Sequence, residues 1–227
     1  MRNNPHDKID HRTFDWLGYD WGKVGDRNKR GVHPTEIYLP ATVLDLKEAV
    51  AKAKISPKFI VRANGHSDNS LVVGSGSNVP VICMRNLNAV QELDGSIVQK
   101  SGSTEYINVE AGIEIGTLED KLAEEGYSLP IAPDHRHITV GGFASAGGIS
   151  AASHIHGLFV DNILKLKVLN TNTNRLRTIR EKDIYKYRSK EHTSELQSHH
   201  DLVCRLLLEK KKAMLHRLKD YIKFLST

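Results

Sequence analysis

Two stretches of this chain concentrate the residue types able to do chemistry. The first runs Arg62-Ala63-Asn64-Gly65-His66-Ser67 and follows the apolar run Phe59-Ile60-Val61, which reads as a buried strand. A strand that breaks into Gly-His-Ser is a loop that brings backbone close to something. Gly65 tolerates positive φ and, lacking a Cβ, lets a ligand approach. Successive N–H groups from Ala63 to Ser67 can form an anion-binding nest. His66 projects from the loop as a nucleophile and proton carrier near neutral pH. The second stretch, Val140-Gly141-Gly142-Phe143-Ala144-Ser145-Ala146-Gly147-Gly148-Ile149, is nearly all small residues, which again means close backbone approach to another element or to a ligand. A rival chemistry belongs to His135-x-His137, with Asp134 beside it, and His154-x-His156. On strands, alternate residues share a face, so each pair could chelate a metal ion. A chain with 12 histidines also produces such pairs by chance.

The elements that must position these residues are legible around them. Pro34 to Pro40 is a short extended piece. Thr42 is a good N-cap with Asp45 three residues on, a capping box. Leu46, Ala49, Val50 and Ala53 then recur at helical spacing and predict one buried face. Pro57 resets the chain before the His66 loop. Gly74-Ser-Gly-Ser-Asn78 reads as a hairpin turn; no Lys-Ser/Thr pair follows it, so it is no Walker motif. Val79 to Met84 reads as a buried strand, and Gly95 and Gly102 mark turns. Ile107 to Gly112 is an alternating strand. A second helix is predicted from Thr117 as N-cap, with Asp120 three residues later, Leu118 and Leu122 on one face and Gly126 as its terminator. Leu164 to Leu169 reads as a strand and Thr171 to Asn174 as a turn. No Gly-x-Gly-x-x-Gly follows a first strand, which argues against an NAD(P) fold.

The set of stretches resembles the flavin-binding domain of the p-cresol methylhydroxylase and vanillyl-alcohol oxidase (PCMH-type) family. Arg62-x-x-Gly65-His66-Ser67 matches the family's loop, and Asp134-x4-Thr139-Val-Gly-Gly-x2-Ser145-x3-Ile149 is similar in spacing to cytokinin dehydrogenases. The region is also similar to the sterol-reductase branch. The resemblance covers roughly residues 34 to 187, and the order Val109-Glu-Ala-Gly112, helix, Gly126-Tyr-Ser-Leu-Pro130 is the family's order. It implies an α+β fold of two small sheet-and-helix subdomains with FAD between them, incomplete at the C-terminus, the substrate domain being absent. Residues 1–33, with Phe14, Trp16, Tyr19 and Trp21, are read as an arm packing its rings on that domain.

The resemblance also implies roles. The Ala63 to Ser67 loop, with Asn64 in it, would hold the FAD pyrophosphate, and Arg62 would either add charge or sit in a salt bridge. His66 would touch the flavin, either bonded to its 8α carbon or as a polar contact. Asp134 and Thr139 would lie near the flavin or its ribityl chain. Ser145 and Ile149 would meet the adenine-dinucleotide portion, with Gly141, Gly142, Gly147 and Gly148 permitting the approach. The parent protein would oxidise a small organic substrate by hydride transfer to the flavin, the cofactor carrying the hard chemistry. The chain by itself would then be an inactive fragment, or a non-catalytic remnant of the fold.

Bulk properties fit a globular chain of 227 residues with 39% hydrophobic content. No apolar run reaches bilayer-spanning length. The polar start Met1 to Arg12 lacks the apolar core of a signal peptide, which points to the cytoplasm. Two cysteines make no disulfide framework. The net charge of +5 would invite a nucleic-acid reading, but residues 188–227 hold nine basic and five acidic side chains, leaving 23 and 22 for the rest. A small-molecule substrate is the expected partner, with no nucleic acid and no membrane; the oligomeric state is not encoded legibly.

From Arg188 the text runs Arg-Ser-Lys-Glu-His-Thr-Ser-Glu-Leu-Gln-Ser-His-His-Asp-Leu-Val-Cys-Arg-Leu-Leu-Leu-Glu-Lys-Lys-Lys. It resembles, with Lys190 as its one departure, the translation of a common short-read sequencing adapter. The alternative is an amphipathic helix, for which Leu202, Leu206, Leu207, Leu218, Ile222 and Leu225 have the spacing. On the adapter reading 188–227 is non-native, and His192, His199, His200 and Cys204 carry no functional weight. Sequencing the source gene across codon 187 tests this: the uninterrupted frame is expected to continue with other residues, and recovery of the same 40 codons would refute it.

Overall fold

The computed structural model describes residues 34, 36–56, 59–67, 79–184, 201–209 and 216–217. The aromatic arm, the Gly74 turn and most of the residues after 184 lie outside the described residues.

The chain opens with strand β1 (Ile37–Tyr38) and helix α1 (Val43–Ala53). The expected capping box is present: Asp45 N donates to Thr42 Oγ1 at 3.1 Å and Thr42 N to Asp45 Oδ2 at 3.0 Å. The expected face, Leu46, Ala49, Val50 and Ala53, is buried. Strands β2 (Ile60–Arg62) and β3 (Val81–Cys83) complete a three-stranded parallel sheet in the order β1-β3-β2. Two expectations are corrected here. Among the described strands β2 lies at the edge of this sheet, its Val61 is exposed, and the residue it buries is Arg62. β3 ends at Cys83, where the chain tightens into a 3-10 turn, Met84–Asn86.

A five-stranded antiparallel sheet forms the other layer. It contains β4 (Gln99–Ser101), β5 (Thr104–Glu110), β7 (Ile163–Asn170), β8 (Arg175–Arg180) and β9 (Asp201–Glu209), in the order β4-β5-β9-β7-β8. Helix α2 (Ile115–Glu124) follows β5, and β6 (Tyr127–Ser128) pairs with β10 (His216–Arg217). Short helices α3 (Val140–Ser145), α4 (Ser153–His156) and α5 (Glu181–Ile184) fill the remainder. The larger core joins Ile107, Val109, Ile115, Leu118, Leu122, Ile131, Val140, Phe159, Ile163 and Val168 across sheet and helices. A smaller one packs α1 on β3, with Leu169 of β7 reaching into it. Lys54 Nζ caps this junction by donating to Thr171 O at 2.8 Å.

Helix α2 starts earlier than its sequence advertises. Glu114, not Thr117, is its N-cap, and no side chain caps it. Backbone carbonyls replace the cap: Ile115 N donates to Ile138 O at 2.9 Å and Gly116 N to Arg136 O at 2.8 Å. Those bonds satisfy first-turn amides that have no partner within the helix. Asp120 is consequently free of capping and accepts from Arg136 Nη2 instead. Gly126 terminates the helix at φ +79°, as expected. Residues 201–209 form a strand rather than a helix: β5 and β7 both present unpaired backbone edges to the gap between them, and a ladder satisfies those groups where a helix could not.

The start of the helix depends on close approach at Gly112, whose N–H donates to Leu87 O at 2.7 Å. A Cβ there would lie 1.9 Å from Met84 O. Because that oxygen is backbone and cannot swing away, Gly112→Ala is expected to destabilise the fold by on the order of 3 kcal/mol, read by urea unfolding.

Candidate FAD site

The 62–67 loop leaves β2 at Arg62, which is only 4% exposed. Gly65 has φ +72°, as the sequence required. The space its missing Cβ leaves is filled from within the protein: a Cβ would lie 2.0 Å from Arg62 Nη2. The glycine therefore lets the buried guanidinium sit beneath the loop. Ala63 packs on the smaller core, and Asn64, His66 and Ser67 are half-buried.

The 134–139 segment comes to meet this loop. Asn64 Nδ2 donates to His137 O at 2.6 Å and to Glu114 Oε1 at 2.7 Å. The other carboxylate oxygen of Glu114 lies 2.8 Å from His137 Nδ1. The His66 ring meets His135 edge-on with centroids 4.4 Å apart, and His135 meets His137 at 5.5 Å. Thr139 pairs with Glu114 through an isolated bridge. Loops more than 60 residues apart are thus joined by one side-chain hydrogen bond, an imidazole contact and a shared carboxylate. Asp134 lies exposed at the start of this segment.

Electrostatics follow from the crowding. Burial pushes the His66 pKa down, the neighbouring charges of His135 and His137 push it further, and Glu114 opposes them. His66 is accordingly a neutral imidazole near pH 7. Burial alone would raise the Glu114 carboxyl. Hydrogen bonds from His137 and Asn64, with the charges of His137 and Arg85, outweigh it and leave the pKa below the usual range. An ionised Glu114 accepts, so His137 Nδ1–H donates.

The glycine-rich stretch is helical where it begins. Thr139 Oγ1 accepts from Gly142 N at 3.3 Å and caps α3. Gly141 serves packing: its N–H donates to Ala111 O at 2.8 Å, and a Cβ would strike Ala111. Gly148 is likewise pressed against Phe159 and Phe143. Gly142 is exposed and its missing Cβ faces open space apart from Thr139. Ser145 Oγ donates back to Gly141 O at 2.8 Å, and Ile149 is 67% exposed. No described hydrogen bond joins Ser145, Gly148 or Ile149 to the 62–67 loop.

The metal reading loses its geometric premise. Neither His-x-His pair lies on a strand: 135–137 is a turn, and His154 and His156 lie in α4, where residues two apart face different ways. His154 Nδ1 is engaged with Ala151 O at 2.8 Å. Among the described residues no group of three or more His, Cys, Asp or Glu is arranged to hold a metal ion. Sequence reasoning missed Glu114, the residue both loops share. Its one signal was an acid immediately before a helix.

The residues fit a dinucleotide bearing a ring. A neutral imidazole and a positive-φ loop lie at the junction of the two loops, and Asn64 Oδ1 there is a buried acceptor with no hydrogen-bond partner among the described residues. A family model described as FAD binding domain matches residues 34–179. The chain belongs to this family of FAD-binding domains, and FAD is its cofactor. It is 30% identical over 142 residues to cytokinin dehydrogenase 2 of Arabidopsis thaliana, covering 61% of this chain and 26% of that protein. It is 31% identical over 144 residues to the xylooligosaccharide oxidase of Thermothelomyces thermophilus, covering 61% and 27%. The chain thus spans little more than a quarter of these relatives. The fold matches that of BBE-like 1 from Physcomitrella patens with TM-score 0.64 at 22% identity, over 92% of this chain and 40% of that one. No described helix is long and apolar enough to cross a membrane.

The depressed His66 pKa carries a sign. The unfolded chain binds a proton there at higher pH than the fold does, so stability is full above about pH 6.5 and declines as pH falls toward the folded value. His66→Gln is expected to flatten that decline in urea titrations run from pH 7.5 to 5, leaving the carboxylate-dependent loss below the usual Glu range in place.

Proposed function

We propose that residues 34–187 are the cofactor-binding unit of an FAD-dependent oxidoreductase acting on a small organic substrate. One observation carries this reading: the 62–67 and 134–139 loops meet through Glu114, placing His66 beside the second loop. The roles follow from position. Loop amides from Ala63 to Ser67 bind the pyrophosphate, with the buried Arg62 guanidinium beneath them adding positive charge. His66, neutral and half-buried, meets the flavin ring, and its free-base form suits attachment to the 8α carbon as well as a polar contact. Asp134 and Thr139 border the ring and ribityl chain. Gly141, Gly142, Ser145, Gly148 and Ile149 border the adenine-dinucleotide portion, with exposed Gly142 the position where backbone can come closest.

Bound FAD supplies a two-electron acceptor, taking a hydride from substrate and passing the electrons to oxygen or another acceptor. The protein's share is to orient the ring, exclude water on the loop side and hold His66 deprotonated. The relatives' names divide between dehydrogenase and oxidase and between cytokinin and xylooligosaccharide. The reading therefore stays at the class of reaction. It includes no nucleic-acid partner, a cytoplasmic location and no catalytic base within the residues assigned.

Titration of the full chain with FAD tests this. At a hundredfold excess over Kd, binding is expected to add about 2.7 kcal/mol of stability, seen as a raised Tm. A chain that stays colourless and gains no thermal protection would refute the reading. Acid precipitation of the loaded protein separates the two His66 roles: colour in the pellet indicates the covalent bond, and colour leaving with the supernatant excludes it.

A further inference from the structure

Glu114 is a half-hidden carboxylate in an uncommon place. As N-cap of α2 it could have turned back on the helix amides, where a negative charge is favoured. It does not: no side-chain cap exists, because those amides donate to Arg136 O and Ile138 O. Its two oxygens instead face outward from the helix to different loops, Oε1 to Asn64 Nδ2 at 2.7 Å and Oε2 to His137 Nδ1 at 2.8 Å. Asn64 closes the ring by donating its second amide hydrogen to His137 O at 2.6 Å. The Glu114 side chain is only 26% exposed, so both oxygens need partners to offset lost hydration. Its backbone is fixed on both sides, by the helix bonds and by the bridge to Thr139. The carboxylate is therefore a rigid post to which both loops are tied.

We propose that Glu114 is the positioning residue of the FAD site, clamping the 62–67 loop onto the 134–139 segment and thereby holding the His66 ring against His135. The proposal rests on the FAD reading above and adds a residue the cofactor need not touch. Two effects follow from the geometry. Asn64 lies two residues from His66, so the amide anchor sets where the imidazole emerges. The negative charge also offsets the field that His135 and His137 impose on His66.

The test compares the full chain with Glu114→Gln, which keeps the size but replaces one acceptor oxygen with a donor, and with Glu114→Asp, which keeps the charge on a shorter arm. His137→Gln, an exposed substitution that removes one of the two ties, guards against a variant that fails to fold. Circular dichroism establishes folding, histidine NMR titration reads His66, and fluorescence titration reads FAD uptake. In folded Glu114→Gln the His66 midpoint is expected to fall below that of the unsubstituted chain and FAD affinity to drop tenfold or more. Glu114→Asp is expected to recover part of both, and His137→Gln to show a smaller loss of affinity. A purely structural helix cap would not move the His66 midpoint. FAD affinity unchanged in folded Glu114→Gln and His137→Gln overturns the proposal while leaving the FAD reading intact. An unsubstituted chain that takes up no FAD overturns the reading itself, and the positioning role falls with it.

Discussion

Everything in this molecule is hung on the seven residues from Glu110 to Gly116. Their backbone is bonded on two sides at once. Toward the parallel sheet, Glu110 N donates to Ala89 O and Gly112 N to Leu87 O. Toward the second loop, Val140 N donates to Ile113 O, Gly141 N to Ala111 O, Ile115 N to Ile138 O and Gly116 N to Arg136 O. A buried amide left unpaired is costly, so a segment bonded through its backbone to two different neighbours helps to fix both. Gly112, Gly116 and Gly141 supply the clearance: a side chain at any of them would meet a backbone or side-chain atom at under 3 Å. Glu114 extends the same segment by one side chain to the 62–67 loop.

That arrangement explains how three histidines and a carboxylate come to share so small a volume. The 134–139 segment is held by main-chain bonds and the 62–67 loop by the side chains of Asn64 and Glu114, and the imidazoles meet at 4.4 and 5.5 Å. Burial and the charges of the other two imidazoles both disfavour a proton on His66, which is held neutral. The most exposed of them, His137, lies with its Nδ1 2.8 Å from Glu114 Oε2.

The five-stranded sheet poses a different question. Its middle strand, Asp201–Glu209, bridges β5 and β7, so the sheet is continuous only through this segment. The text of that segment is the one resembling a translated adapter. Nine residues of mostly apolar character are enough to answer two open strand edges, since a ladder asks for backbone groups and tolerates many side chains. Strand formation there is governed by the gap that receives it.

Local rules carried much of the architecture. The Thr42–Asp45 cap, the buried face of α1, the terminator at Gly126, the positive φ at Gly65 and the α+β pairing of helices with short strands all arise from interactions within a few residues. The FAD-binding family was legible too, because Arg62-x-x-Gly-His-Ser and the Thr139-Val-Gly-Gly run are contiguous text. What the chain alone could not disclose required partners far away in sequence. Carbonyls from 136 and 138 moved the N-cap of α2 back from Thr117 to Glu114, Arg62 took the space beneath Gly65, and packing on Ala111 claimed Gly141. Glu114 became the meeting point of two loops for the same reason: a hydrogen bond between residues 50 positions apart leaves no periodicity in the sequence, and only the folded backbone brings its donor and acceptor within reach.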